Sequence, residues 1–467
     1  MRRLKRWAIS FLLAMTAASP IVSSVYAEGV EVRIMVDGAP ALFEQPPVIV
    51  DGTALVPMQG LFQRLGASFQ WEDRTQTIIA SKNDTKLLLS MGLKKAEVDG
   101  ETKEMEVPAR MVGEVPLVPV RFVSNALGMY VYWDDETRTI KMETDDDLNG
   151  RTRRQIDARI RASAPVFSGD VFEEKPRITA PHKPGKLNTD FVEDGVKTVN
   201  LMRYLAGLPD DLVQDSALNE QAQYGAVLLA DFGKLSHTPS KTLGMEEPFY
   251  KKGYLSTSTS NIYSIYAANS AIKLNGLLTR TVVSYMSDHD ETNRETVGHR
   301  RWILYPPLQK IGFGLAEGRR SNDYRTYFSP LQVFDKSRKD KFDYDVIAWP
   351  GKGYFPTKYF QGNDPWSISL NPEQFVKPSL QDVSVSITRL NDDMIWTMDR
   401  DDLERTSGKA YFNVDTAAYG VPYCIIFRPD TDMQYNDGDR FVVKVSGLKD
   451  RQGDPVSVSY QVVMFAT

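Results

Sequence analysis

The sequence predicts a multidomain α+β protein: a small α/β tandem-repeat module, a helix-rich middle, and a C-terminal immunoglobulin-like β-sandwich. Three observations predict it. Val36-Asp37-Gly38 recurs 62 residues on as Val98-Asp99-Gly100, and Leu55-Val56-Pro57 recurs at the same offset as Leu117-Val118-Pro119. From Phe191, the apolar residues Val192, Val196, Val199, Met202 and Leu205 fall on one helical face. After Asp345, apolar and polar residues alternate at period two, as in Val383 to Ile387. A length of 467 residues suits about three domains.

Composition narrows the function classes. Hydrophobic residues make up 42% and charged residues 25%, which excludes a largely disordered or polytopic membrane chain. A net charge of −5 gives no basic field for nucleic acid. Four histidines and one cysteine exclude zinc-finger, iron–sulfur and disulfide-scaffold designs. Residues 1–27 read as a signal peptide: basic residues from Met1 to Arg6, an apolar run from Trp7 to Ala18, and small residues for cleavage around Val25-Tyr26-Ala27. That run is shorter than the roughly 20 residues needed to span a bilayer. A secreted or cell-surface location follows, with no transmembrane segment after cleavage. The lone Cys424, between Tyr423 and Ile425, reads as a buried strand residue.

Each repeat reads as strand, short helix, strand, strand. Met58, Leu61, Phe62 and Leu65 recur at helical spacing after Pro57, and Gly66 stops the helix. Trp71 and Trp133, each followed by acidic residues, sit at equivalent positions and are expected in equivalent buried environments. These paired motifs resemble the copper amine oxidase N-terminal domain over residues 30–145, a stalk on exported proteins of Gram-positive bacteria. The resemblance implies a display or cell-wall contact module, with neither copper nor a quinone: residues 1–181 hold no histidine, and the chain has no Asn-Tyr-Asp/Glu tripeptide. Residues 146–190, with basic residues from Arg151 to Arg161 and prolines at 176, 181 and 184, read as a linker.

In residues 191–335 the order Asn200-x-x-Arg203, Gly207-Leu-Pro209, Leu218-x-x-x-Ala222, Ser236-His237-Thr238, Gly298-His299-Arg300, Ile311-Gly-Phe-Gly314 resembles the CAP superfamily of cysteine-rich secretory proteins, in a disulfide-free bacterial form. The resemblance implies an α-β-α sandwich with a cleft of two histidines and two acidic residues, which binds zinc in some members. Carried over, the histidines are His237 and His299. Ser260 stands where the family has a glutamate, beside Asn261. Asp288 fits the remaining acidic position, and Asp290 or Glu295 is available to the vacancy. The expected cleft is therefore His237, Ser260, Asn261, Asp288, Glu295, His299 and Arg300, with His237, His299 and Asp288 as ligands of a weakly bound divalent cation such as zinc. Arg301 and Trp302 suit either sugar contact or packing. His289 reads as a loop residue, and His182, in the linker, is given no role.

Residues 336–378 read as a connecting segment and 379–467 as the sandwich, with Trp349 to Pro356 a packing strap. No nucleophile elbow, His-Glu-x-x-His or phosphate loop is present. The leading expectation is a secreted, wall-associated protein whose CAP-like domain binds a lipid, glycan or protein. A metal-assisted hydrolase acting on wall glycopeptide or protein, and a structural surface or coat protein, are the alternatives.

Overall fold

The computed structural model describes residues 32–83, 85–134, 138–144, 148–268, 273–319, 324–403, 409–430 and 433–467. The expected signal peptide lies outside them. The fold is mixed α/β, with eight α-helices among the described residues. Two compact units divide the chain, Met1–Thr144 and Asp145–Thr467.

In the first unit the elements repeat with the sequence. Strand Thr53–Pro57 leads into α1 (Met58–Arg64), and strand Val115–Pro119 leads into α2 (Val120–Ala126). Pro57 and Pro119 end their strands where a missing N–H costs no helix hydrogen bond. The hairpin Ser68–Glu72/Thr77–Lys82 has its counterpart in Met129–Asp134/Thr139–Thr144. The two copies join through strands Thr53–Pro57 and Val115–Pro119, which pair antiparallel with Val56 opposite Val118, Leu55 opposite Pro119 and Pro57 opposite Leu117. Equivalent residues thus exchange places about a local two-fold.

The symmetry is incomplete. Strand Arg33–Val36 pairs directly with Thr139–Thr144, whereas Lys95–Val98 is separated from Thr77–Lys82 by the additional strand Thr85–Ser90. Trp71 and Trp133 keep equivalent register, opposite Ile78 and Ile140. Their surroundings differ from the expectation: Trp71 is half-buried against the core and Trp133 is 39% exposed.

The second unit begins where a linker was expected, and that expectation is corrected. Arg153–Ala162 forms α3, closed at its start by a reciprocal Thr152–Gln155 capping box. Arg153, Ile156, Val171 and Leu187 are buried. Two of the basic residues face inward: Arg151 donates to the Tyr204 carbonyl, and the Arg153 guanidinium lies 4.8 Å from the Tyr354 ring centroid. The backbone amides of Val166 and Phe167 donate to the buried Asp194 carboxylate.

Beyond it, α4 (Thr189–Leu205), α5 (Ser216–Phe232), α6 (Glu247–Ser258), α7 (Leu277–Ser287) and α8 (Gly298–Ile303) surround a sheet ordered Val213–Gln214, Lys310–Phe313, Tyr324–Gln332, Ser260–Ala268. Strand alternation assigns the faces. Phe313 packs on Gly195 of α4, where an added Cβ would come within 2.9 Å of its ring. Gly312 and Gly314 point the other way, where a Cβ would lie 2.3 Å from the Leu218 and Ala222 backbone of α5. Glycine at both positions lets α5 seat on the strand. On α7, the buried Tyr285 hydroxyl donates to the Ser329 carbonyl of the sheet at 2.8 Å.

The C-terminal part holds a sheet ordered Val346–Trp349, Trp366–Leu370, Cys424–Arg428, Tyr411–Asp415 and a sheet ordered Gly353–Pro356, Pro455–Phe465, Arg440–Lys449, Ser384–Arg389, Met394–Met398. Trp366 of one packs edge-on against Phe441 of the other, with ring centroids 5.7 Å apart. The segment expected to connect domains, 336–378, instead supplies strands to both sheets. Trp349, Tyr354 and Phe355 are buried within them. Period-two alternation misses Val346–Trp349 and Gly353–Pro356 because all of their residues are buried. Cys424 is buried and unpaired. No described helix is long and apolar enough to cross a membrane.

Candidate functional site

Several of the motifs read from the sequence build scaffold. Asn200 exchanges hydrogen bonds with Leu212, donating to its carbonyl at 3.0 Å and accepting from its amide at 2.9 Å. Arg203, fully buried, donates to the carbonyls of Pro209, Ile303 and Tyr305. Burial pushes its pKa down to about 9. Arg300 is also fully buried, and its guanidinium binds the carbonyls of Met286, Ser287 and Pro365 and the Ser367 hydroxyl. It ties the end of α7 to the C-terminal sheets and does not line a cleft. Arg301 does likewise, donating to Thr296, Ala417, Val421 and Asp415, and Trp302 stacks on Phe334 at 3.9 Å.

His299 follows a helix start shaped by Asp288. Asp288 closes α7 in the left-handed region (φ +46°) and is buried. One carboxylate oxygen accepts from His299 Nδ1 at 2.8 Å, the other from the Arg300 amide at 3.0 Å. With Nδ1–H donated to a carboxylate, the neutral ring carries its lone pair at Nε2. Burial alone would lower the His299 pKa, but the charge and hydrogen bond of Asp288, with the charge of Asp290, outweigh it and hold the imidazole above its ordinary 6.5. The ring lies 5.1 Å from that of Tyr285, and its main-chain carbonyl accepts from Asn261 Nδ2 at 2.9 Å.

His237 is exposed, with Nδ1 2.7 Å from the Thr257 carbonyl. A carbonyl only accepts, so this nitrogen carries the proton and Nε2 is again the bare one. Thr257, on α6, and Asn261, at the start of the following strand, thus anchor the two histidines to one junction. Sequence reasoning missed Thr257 because it acts through its main chain.

The remaining expected residues fall out differently. Ser260 is 3% exposed and donates to the Ser256 carbonyl at 2.8 Å, an end-of-helix bond. The Glu295 carbonyl accepts from Asn413 of the C-terminal sheets. Both oxygens of Asp288 are engaged, one by the His299 ring and one by the Arg300 amide. Among the described residues no three His, Cys, Asp or Glu side chains group as metal ligands.

Two histidines outside the site are placed as well. His289 Nδ1 lies 2.5 Å from the Ser287 hydroxyl and 3.5 Å from Asp364, whose hydrogen bond raises its pKa. His182, given no role from sequence, is buried with Nε2 3.1 Å from Asp231, which also holds Thr242 and Arg319. It fastens the former linker to α5.

Residues 35–142 match the family model of the copper amine oxidase N-terminal domain, and residues 196–329 match that of the cysteine-rich secretory protein family. Both coincide with the two resemblances legible in the sequence. Together they fit an extracellular multidomain protein. Among solved structures the chain is similar to an outer surface protein from Borrelia burgdorferi, at 17% identity over 30% of this chain and 92% of that one, with a TM-score of 0.19. No curated protein matches.

Proposed function

We propose that this is a secreted, wall-associated protein whose CAP-like domain binds a lipid, glycan or protein between His237 and His299, with the repeat module and the C-terminal sheets serving attachment and spacing. One observation carries the reading: both rings have their Nδ1 atoms held, His299 by buried Asp288 and His237 by Thr257, so both offer Nε2. Such pre-orientation lowers the ordering cost of binding. A divalent transition ion such as zinc would sit on these two nitrogens and supply a positive charge to an anionic ligand group. With only two protein donors it binds weakly.

The test uses the full chain sedimented with purified Gram-positive sacculi and with lipid vesicles. The double variant His237→Ala/His299→Ala, checked for an unchanged melting temperature, should lose at least about tenfold in affinity for whichever is bound. Undiminished retention by both overturns the cleft.

A hydrolase is the second reading, favoured by the buried Asp288–His299 pair, the pattern that orients a general base. It predicts release of soluble fragments from sacculi, with turnover falling by about 10³ or more in His299→Ala.

A further inference from the structure

Away from the histidines, Tyr305-Pro306-Pro307, the stretch from Arg338 to Tyr344, Asn371 to Glu373 and Gly420 to Pro422 enclose a cavity of about 460 Å³. That volume falls in the range of small-molecule sites. All four segments belong to the same unit, so the cavity is built into one packed body.

Its surface is aromatic with a charged rim that includes Lys339 and Asp340. Tyr305, Phe342 and Tyr344 are half-buried, and the Phe342 and Tyr344 rings lie nearly parallel, 11° apart in plane and 6.3 Å between centroids. The Tyr344 hydroxyl is pushed up to about 12 by burial, with Tyr305 and Glu373 adding to the shift. Lys341 pairs with Glu373 at 2.5 Å, and Arg338 turns away to Asp211. Asn371 is spent on the Tyr344 carbonyl at 2.7 Å and fixes that segment. The floor approaches Tyr305 closely: a Cβ on Gly420 (φ +67°) would lie 3.2 Å from the Tyr305 Cβ.

We propose that this cavity is a saccharide site that takes a short neutral oligosaccharide. A pyranose offers apolar C–H faces and a hydroxyl edge. Flat half-buried rings receive the faces, and phenol hydroxyls with a rim of mixed charge receive the edge. The chemistry differs from that of the two-imidazole site, so the site stands or falls independently of it.

The full chain is titrated calorimetrically with cellotetraose, maltotetraose, chitotetraose, a tetragalacturonate and a proline-rich decapeptide. At least one neutral tetrasaccharide should bind. Phe342→Ala should weaken it by about tenfold, while Phe342→Tyr retains it, both with unchanged melting temperature. Binding by none of the neutral sugars, binding indifferent to Phe342→Ala, or preferential binding of the tetragalacturonate or the peptide overturns the assignment.

Discussion

Asp288 does two jobs at one turn. Its φ of +46° ends α7 in a region that aspartate tolerates better than most residues, and its carboxylate then serves both the His299 ring and the first-turn amide of Arg300. Replacing it with asparagine removes the charge and nearly preserves the shape. The His299 pKa should fall in Asp288→Asn, measured by NMR titration of the imidazole; an unchanged midpoint would refute Asp288 as the cause. The sign for stability follows. A pKa raised on folding contributes fully below the unfolded value of about 6.5 and is lost as pH rises through the folded value. Denaturation at about pH 5.5 should therefore separate wild type from Asp288→Asn more than denaturation at about pH 8.5. The two histidines and Asp288 were legible in the sequence because they sit in recognisable motifs. Their arrangement was not. Ser260 looked like a vacated acidic position, yet it is buried on a helix-end carbonyl, and a glutamate there would carry its charge into a buried position. Arg300 looked like a cleft residue because nothing in its own segment reveals the carbonyls of Pro365 and Met286 that consume it.

At the scale of elements, close approach and backbone conformation make separable demands on glycine. Gly314 faces the Ala222 carbonyl with no room for a Cβ. Gly233 ends α5 at φ +86° with open space around it. Gly314→Ala should cost about 2–4 kcal/mol by chemical denaturation, because the strand must move off α5. Gly233→Ala should cost only about 1 kcal/mol, the left-handed penalty. Equal costs would contradict the close seating of α5. The repeat was legible almost strand by strand, since the same offset carries Pro57 to Pro119 and Gly66 to Gly128. The additional strand Thr85–Ser90 has no such signature, and Trp133 is more exposed than Trp71. Helix α3 was hidden by its arginines, which composition marks as solvated, although Arg153 lies over the Tyr354 ring and Arg159 over that of Tyr204.

Across the whole molecule, residues 145–467 act as one body because guanidinium groups bridge what sequence divides. Arg301 of α8 reaches Asp415, Ala417 and Val421, and Arg300 reaches Pro365 and Ser367. Sequence patterns place domain boundaries where composition shifts, and such long-range main-chain contacts leave no local trace. Arg301→Met should destabilise this body by about 3–5 kcal/mol, because Asp415 and several buried carbonyls lose their partner. Calorimetry should show the single transition of wild-type 145–467 broaden or split; a melting curve unaffected by the substitution would argue for independent domains.

The two-imidazole site is tested most directly by a zinc titration of the full chain followed at the four histidine rings by NMR. His237 and His299 should shift together at one zinc concentration while His182 and His289 stay still, and the midpoint should rise as pH falls through the elevated His299 pKa, because protons compete for the same nitrogen. No joint response, or His289 responding ahead of both, would contradict a site shared by His237 and His299.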